Sequence, residues 1–178
     1  METMKAINRR KSVRSYTGEK ISREALDTVL QAAYAAPVGM GKYENFHLTV
    51  IENREFMQAI EEKASAMFGK PDLHLFYGAP TFILVSSKPD GAEKVGGIDY
   101  CNTAAIVENM SLAATDLGVG HCYIWGGVAV LNANPDLVAR LNLPEGHTPC
   151  SGIILGVTTE EYTDRDIPGQ RIGTSYLR

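Results

Sequence analysis

The chain has 178 residues, 44% hydrophobic and 21% charged, with a formal charge of −4. That length suits a single domain over residues 1–178 with a substantial core, and no apolar run approaches bilayer-spanning length. The acidic balance argues against general nucleic-acid binding. Cys101, Cys122 and Cys150 lie far apart without a Cys-x-x-Cys pair, which excludes a disulfide framework or zinc site.

In chain order, Lys5 to about Arg10 reads as a short helix with Met4 and Ile7 on its apolar side. Ser22 is an expected N-cap, and Leu26, Val29, Leu30 and Ala33 follow at helical spacing until Pro37 closes the helix. Residues 46–51 alternate as a strand. Residues 54–68 form the next expected helix, with Phe56, Ile60, Ala64 and Met67 inward and Gly69 as its stop. Residues 81–86 read as a buried central strand after Pro80.

The stretch 99–117 is apolar on nearly every side, which places that helix in a core or a subunit interface. Gly118 ends it, and residues 121–124 begin another strand. Asn134-Pro135 caps a short helix through Leu141, and residues 152–157 form the last core strand. Without a regular βαβ alternation or a glycine-rich nucleotide fingerprint, the expectation is α+β: a central mixed or antiparallel sheet flanked by helices.

The densest chemical signal is Arg9-Arg10-Lys11-Ser12-Val13-Arg14-Ser15-Tyr16. Lys5, Arg9, Arg10, Lys11 and Arg14 against Glu2 give the opening a charge of +4, so the remainder carries −8. By spacing alone this is either a solvated basic face or a site for a small oxyanion. Guanidinium groups and hydroxyls suit the latter. His47, His74, His121 and His147 show no metal spacing.

That opening, followed by a helix ending Ala-Ala-Tyr-Ala-Ala-Pro, resembles the nitroreductase family of FMN-dependent oxidoreductases. The resemblance spans essentially the whole chain and rests on four places. In the basic opening, Arg10, Lys11, Ser12 and Arg14 match the family's phosphate and ribityl contacts. Pro37, Val38, Gly39, Met40 and Lys42 match a loop that reaches the flavin of the partner subunit. The loop departs from the family's pattern, with Val38 in place of Ser and Glu44-Asn45-Phe46 in place of Gln-Pro-Trp. Ile124, Trp125 and Gly126 match positions whose backbone approaches the flavin N5 edge, where a residue lacking Cβ permits close approach. Read without the family, Gly126-Gly127 is an ordinary turn and Trp125 a core anchor. Arg171 matches a C-terminal basic element of the phosphate site, or is a solvated surface charge.

The resemblance implies an intertwined homodimer with FMN sites shared between chains, and a ping-pong reaction. NADH or NADPH reduces the flavin, which then reduces a nitroaromatic, quinone or related small-molecule acceptor. No catalytic side chain is expected, because the cofactor carries the chemistry. Arg14, and less strongly Lys42, would face charge developing on the reduced ring. The alternative is an FMN-binding storage or sensor protein with little turnover. Neither reading calls for nucleic acid, membrane or metal, and the expected location is the cytoplasm.

Overall fold

The computed structural model describes residues 2–178. Four strands, β1 (Phe46–Ile51), β2 (Thr81–Ser87), β3 (Gly120–Tyr123) and β4 (Thr148–Gly156), form one sheet in the order β1-β2-β4-β3. Every neighbouring pair is antiparallel. Six α-helices flank it: α1 (Thr3–Arg9), α2 (Arg23–Tyr34), α3 (Arg54–Phe68), α4 (Gly97–Asp116), α5 (Trp125–Ala133) and α6 (Pro135–Arg140). The α+β expectation holds, in its antiparallel form.

Alternation along the central strands divides the core in two. Ile83, Val85, Ile153 and Leu155 face the side covered by α2 and α4. Phe82, Leu84 and Ile154 face the side of α3, α5 and α6. All seven residues of β2 are buried, as expected of a strand covered on both faces.

Ser22 caps α2 by accepting the Ala25 N–H at 3.1 Å, and Gly69 ends α3 in the left-handed conformation at φ 61°. The long helix α4 buries hydroxyls as well as apolar groups. Ser111 donates to the Val107 carbonyl and Thr115 to the Ser111 carbonyl, each at 2.9 Å, so these hydroxyls are satisfied within the helix. At its start, Asp99 accepts the Gly96 N–H at 2.8 Å and the Ser87 hydroxyl at 2.7 Å.

Several expectations need correction. Met4, Ile7 and Met67 are exposed rather than inward; Ala6 is the buried member of α1, and Met57 joins the expected Phe56, Ile60 and Ala64 as the buried residues of α3. Strand β4 begins at Thr148, four residues before the expected start. Pro149 hides that start, and the ladder accommodates it with a register shift between Val85 and Ser86. Gly126-Gly127, an ordinary turn when read without the family, instead forms the first turn of helix α5. Gly127 suits the helix for a packing reason: a Cβ there would lie 3.3 Å from both Ile124 and Phe76.

Gly152 in β4 is more tightly constrained. A Cβ would stand 2.4 Å from the fully buried Phe82 ring and 3.2 Å from the Ile83 carbonyl. Gly152→Ala is expected to cost about 1–3 kcal/mol through overpacking, measured by urea unfolding. An unchanged denaturation midpoint would contradict this packing.

Candidate functional site

Helix α1 ends with the Arg10 N–H bonded to the Ala6 carbonyl at 2.9 Å, and the chain leaves in an extended run. The Val13 N–H donates to the His121 carbonyl at 2.8 Å, lashing this run to β3, and the Val13 side chain is fully buried. On the other side lies the stretch after β4. Thr17 N–H bonds the Val157 carbonyl at 3.0 Å, and the Thr158 hydroxyl bonds the Ser15 carbonyl at 2.8 Å. Arg165 closes the arrangement through the Ile7 and Asn8 carbonyls at 2.9 and 2.8 Å. The basic opening is therefore a built element held on both edges.

Its charges do not stand alone. Arg9 pairs with Asp164 at 2.6 Å, Arg10 with Glu108 at 3.4 Å, and Lys11 with Glu160 at 2.9 Å. Lys11 also lies 5.9 Å above the Tyr162 ring, and Arg14 lies 5.9 Å from the Tyr77 ring centre. Arg10 Nε is buried without a hydrogen-bond partner. The Ser12 hydroxyl, half-buried, makes no hydrogen bond among the described residues.

Behind this segment sits His121, 1% exposed, with Nε2 2.9 Å from Thr115 Oγ1. Because Thr115 donates to Ser111, the network assigns His121 Nε2–H as donor to Thr115. The ring stacks on Tyr162 at 5.8 Å and 15°, and the Tyr162 hydroxyl donates to the Val119 carbonyl at 2.7 Å. Burial first, and then the Arg10 charge, push His121 down to about 3, so it is neutral near pH 7. Burial likewise raises the Tyr16 and Tyr162 hydroxyls, and both stay protonated.

At Ile124–Gly126 the expected residues divide. The Ile124 N–H donates to the Gly152 carbonyl at 2.9 Å and is therefore used by the sheet. Trp125 and Gly126 open α5, where backbone N–H groups have no intrahelical acceptor. Gly126 has no positive φ. What a side chain would meet there is Leu75, whose Cδ1 stands 2.7 Å from an added Cβ. Trp125 is 55% exposed, not a core anchor, and meets Tyr100 edge-on at 6.1 Å.

The Pro37–Lys42 loop packs elsewhere on the protomer, against the start of α4. Gly39 N–H donates to Asn102 Oδ1 at 3.1 Å, Lys42 pairs with Asp90, and Val38 packs on the α2–α4 core. Pro37 is exposed, and Met40 is 82% exposed at φ 56°. Gly39, Met40 and Lys42 line a cleft of about 280 Å³ with Lys94, Ile98 and Asn102. Arg171 lies in the exposed C-terminal stretch, with no hydrogen bond or ion pair to any other described residue.

Within one protomer the structure thus brings Arg10, Lys11, Ser12 and Arg14 together, and Leu75 and Tyr77 link them to the start of α5. It does not join the Pro37–Lys42 loop or Arg171 to that group. Sequence reasoning missed Leu75, Tyr77, Glu108, Glu160, Tyr162 and His121. None carries a motif, although the turn-rich Gly69–Gly78 stretch marked a loop. Among the described residues, no cluster of three or more His, Cys, Asp or Glu could hold a metal ion.

Comparison with known proteins places this architecture. The Nitroreductase family model matches residues 7–157, and the chain belongs to that family. A relative from Methanothermobacter thermautotrophicus carries the provisional name NADH dehydrogenase/NAD(P)H nitroreductase. It is 30% identical over 172 residues, covering 94% of this chain and 83% of the relative. Two solved structures are similar over nearly their whole lengths. A nitroreductase with bound FMN from Desulfitobacterium hafniense superposes with a TM-score of 0.84 at 25% identity, covering 100% of both chains. Another with bound FMN, from Bacteroides fragilis, gives 0.80 at 27% identity, covering 99% of this chain and 100% of that one.

Proposed function

We propose that this protein is an FMN-dependent NAD(P)H oxidoreductase, a single domain acting as a homodimer on small acceptors such as nitroaromatics and quinones. The observation that carries the reading is the buried, unpartnered Arg10 Nε within a segment that also presents Lys11, Ser12 and Arg14. A buried donor without an acceptor costs free energy, and a phosphate oxygen would satisfy it. The donor set therefore fits FMN, the cofactor held by the similar structures from Desulfitobacterium hafniense and Bacteroides fragilis. FMN in place would supply hydride chemistry between a nicotinamide and an acceptor by a ping-pong scheme.

The chain's own contribution is positioning. Arg10, Lys11, Ser12 and Arg14 would hold the phosphate and ribityl end. The Trp125 and Gly126 N–H groups at the start of α5 would fix the ring edge, with Leu75 and Tyr77 forming a wall. The positive end of helix α5 would then favour negative charge at that edge. No side-chain nucleophile is needed, because the cofactor would supply the chemistry.

The Pro37–Lys42 loop suits the neighbouring subunit's site, because in its own protomer it lies apart from the basic segment. Exposed Met40, Ile98, Ile172, Tyr176 and Leu177 supply apolar surface for such an assembly. Arg171 would act from the same exposed C-terminal stretch. Among the described residues no helix is long and apolar enough to cross a membrane.

The purified protein is expected to show an oxidised-flavin spectrum, to release FMN on heating, and to oxidise NADH or NADPH at steady state. Sedimentation should give a dimer at micromolar concentration, stabilised by added FMN. Recovery of FAD alone would refute the cofactor. A monomer retaining full FMN affinity would refute the shared site. A bound flavin without turnover would favour the storage reading.

A further inference from the structure

The stretch 157–165 does more than fasten the basic opening. It presents Glu160 to Lys11, one of the residues proposed to hold phosphate. Its turn is fixed by the Glu160 N–H donating to Thr158 Oγ1 at 3.1 Å, and its flanks by Thr158 on the Ser15 carbonyl and Tyr162 on the Val119 carbonyl. Glu160 Oε2 meets Lys11 Nζ at 2.9 Å. The Lys11 side chain foremost, with the Arg14 backbone N–H and guanidinium adding to it, holds the Glu160 carboxyl below the usual carboxylate range. Lysine ammonium, backbone N–H and guanidinium are also the donors that would grip a phosphate.

We infer that Glu160 is an internal anion that competes with the flavin phosphate for Lys11, and so sets the phosphate-dependent part of flavin affinity. The inference rests on the FMN reading above.

Two opposed effects decide its sign. A carboxylate beside Lys11 orients the ammonium, which favours binding, but it also occupies the ammonium that a phosphate would otherwise take. Orientation does not depend on Glu160 alone, since the Tyr162 ring already lies under Lys11, itself held by its stack on buried His121. Competition for the ammonium therefore prevails. Because the Lys11 and Glu160 side chains are 32% and 34% exposed, solvent screens the effect and keeps it modest.

The test is the ratio of riboflavin to FMN dissociation constants, measured by fluorescence titration of the apoprotein dimer. Riboflavin lacks the phosphate, so a general change in the fold moves both constants together. Glu160→Gln keeps the shape and removes the charge. It should tighten FMN about three- to fivefold, leave riboflavin unchanged, and lose that effect in a Lys11→Ala background. An unchanged or reduced ratio overturns the inference, as does an equal gain without Lys11. If the unaltered chain binds FMN while Glu160→Gln changes nothing, only this inference fails. If the unaltered chain binds no flavin, the proposed function fails with it.

Discussion

Replacing His121 with Gln is expected to remove about one proton's worth of acid sensitivity from folding. In the folded chain burial and the Arg10 charge hold His121 down to about 3, whereas the unfolded chain returns it to 6.5. Between those values the unfolded state binds a proton that the folded state refuses. Stability must then fall as pH drops through that window, by about 1.4 kcal/mol per pH unit. Above the unfolded value the group contributes no slope. Gln retains a side-chain N–H for Thr115 Oγ1 but cannot titrate. Glu160 and Asp164, lowered chiefly by Lys11 and Arg9, lose their contributions at still lower pH and do so in both proteins. Urea unfolding from pH 7 to 4.5 should show the wild-type advantage over His121→Gln shrinking at that slope. Parallel curves would mean that His121 is protonated in the folded state.

Much of the fold was legible because its signals are local. Ser22 marks the start of α2 and Gly69 the end of α3, and the apolar run after Pro80 marks β2. Helix α5 escaped because tertiary packing overrides glycine's poor helix propensity at Gly126 and Gly127. The exposure of Met4, Ile7 and Met67 escaped for a related reason: periodicity finds an apolar stripe but not the surface, if any, that covers it.

The candidate site divides along the same line. The donors Arg10, Lys11, Ser12 and Arg14 are contiguous and stand out by charge. Their partners do not, since Asp164 lies 155 residues from Arg9 and Glu108 lies 98 from Arg10. The sequence suggested a strongly positive patch. The fold sets a carboxylate against Arg9, Arg10 and Lys11, leaving a site more finely balanced than composition implies. The neutral state of His121 was equally invisible, being a product of burial beside Arg10.

Arg10 joins these effects, and Arg10→Ala is expected to weaken FMN binding by roughly ten- to a hundredfold. A charge-assisted hydrogen bond is worth about 1.5–3 kcal/mol, and the buried Nε has no internal acceptor to fall back on. The loss should appear for FMN and be nearly absent for riboflavin. Folding should suffer little, because the partner left behind, Glu108, has a side chain 49% exposed and returns to water. A second consequence follows from the same charge. Arg10 helps keep His121 unprotonated, so its removal should raise the His121 pKa and soften the acid slope described above. Flavin titrations and pH-dependent unfolding of one variant thus report on the two faces of a single guanidinium. If FMN and riboflavin weaken equally, Arg10 supports the fold alone and the phosphate must lie elsewhere. If only FMN weakens and the slope softens as well, Arg10 both grips the phosphate and sets the charge state of the histidine behind it.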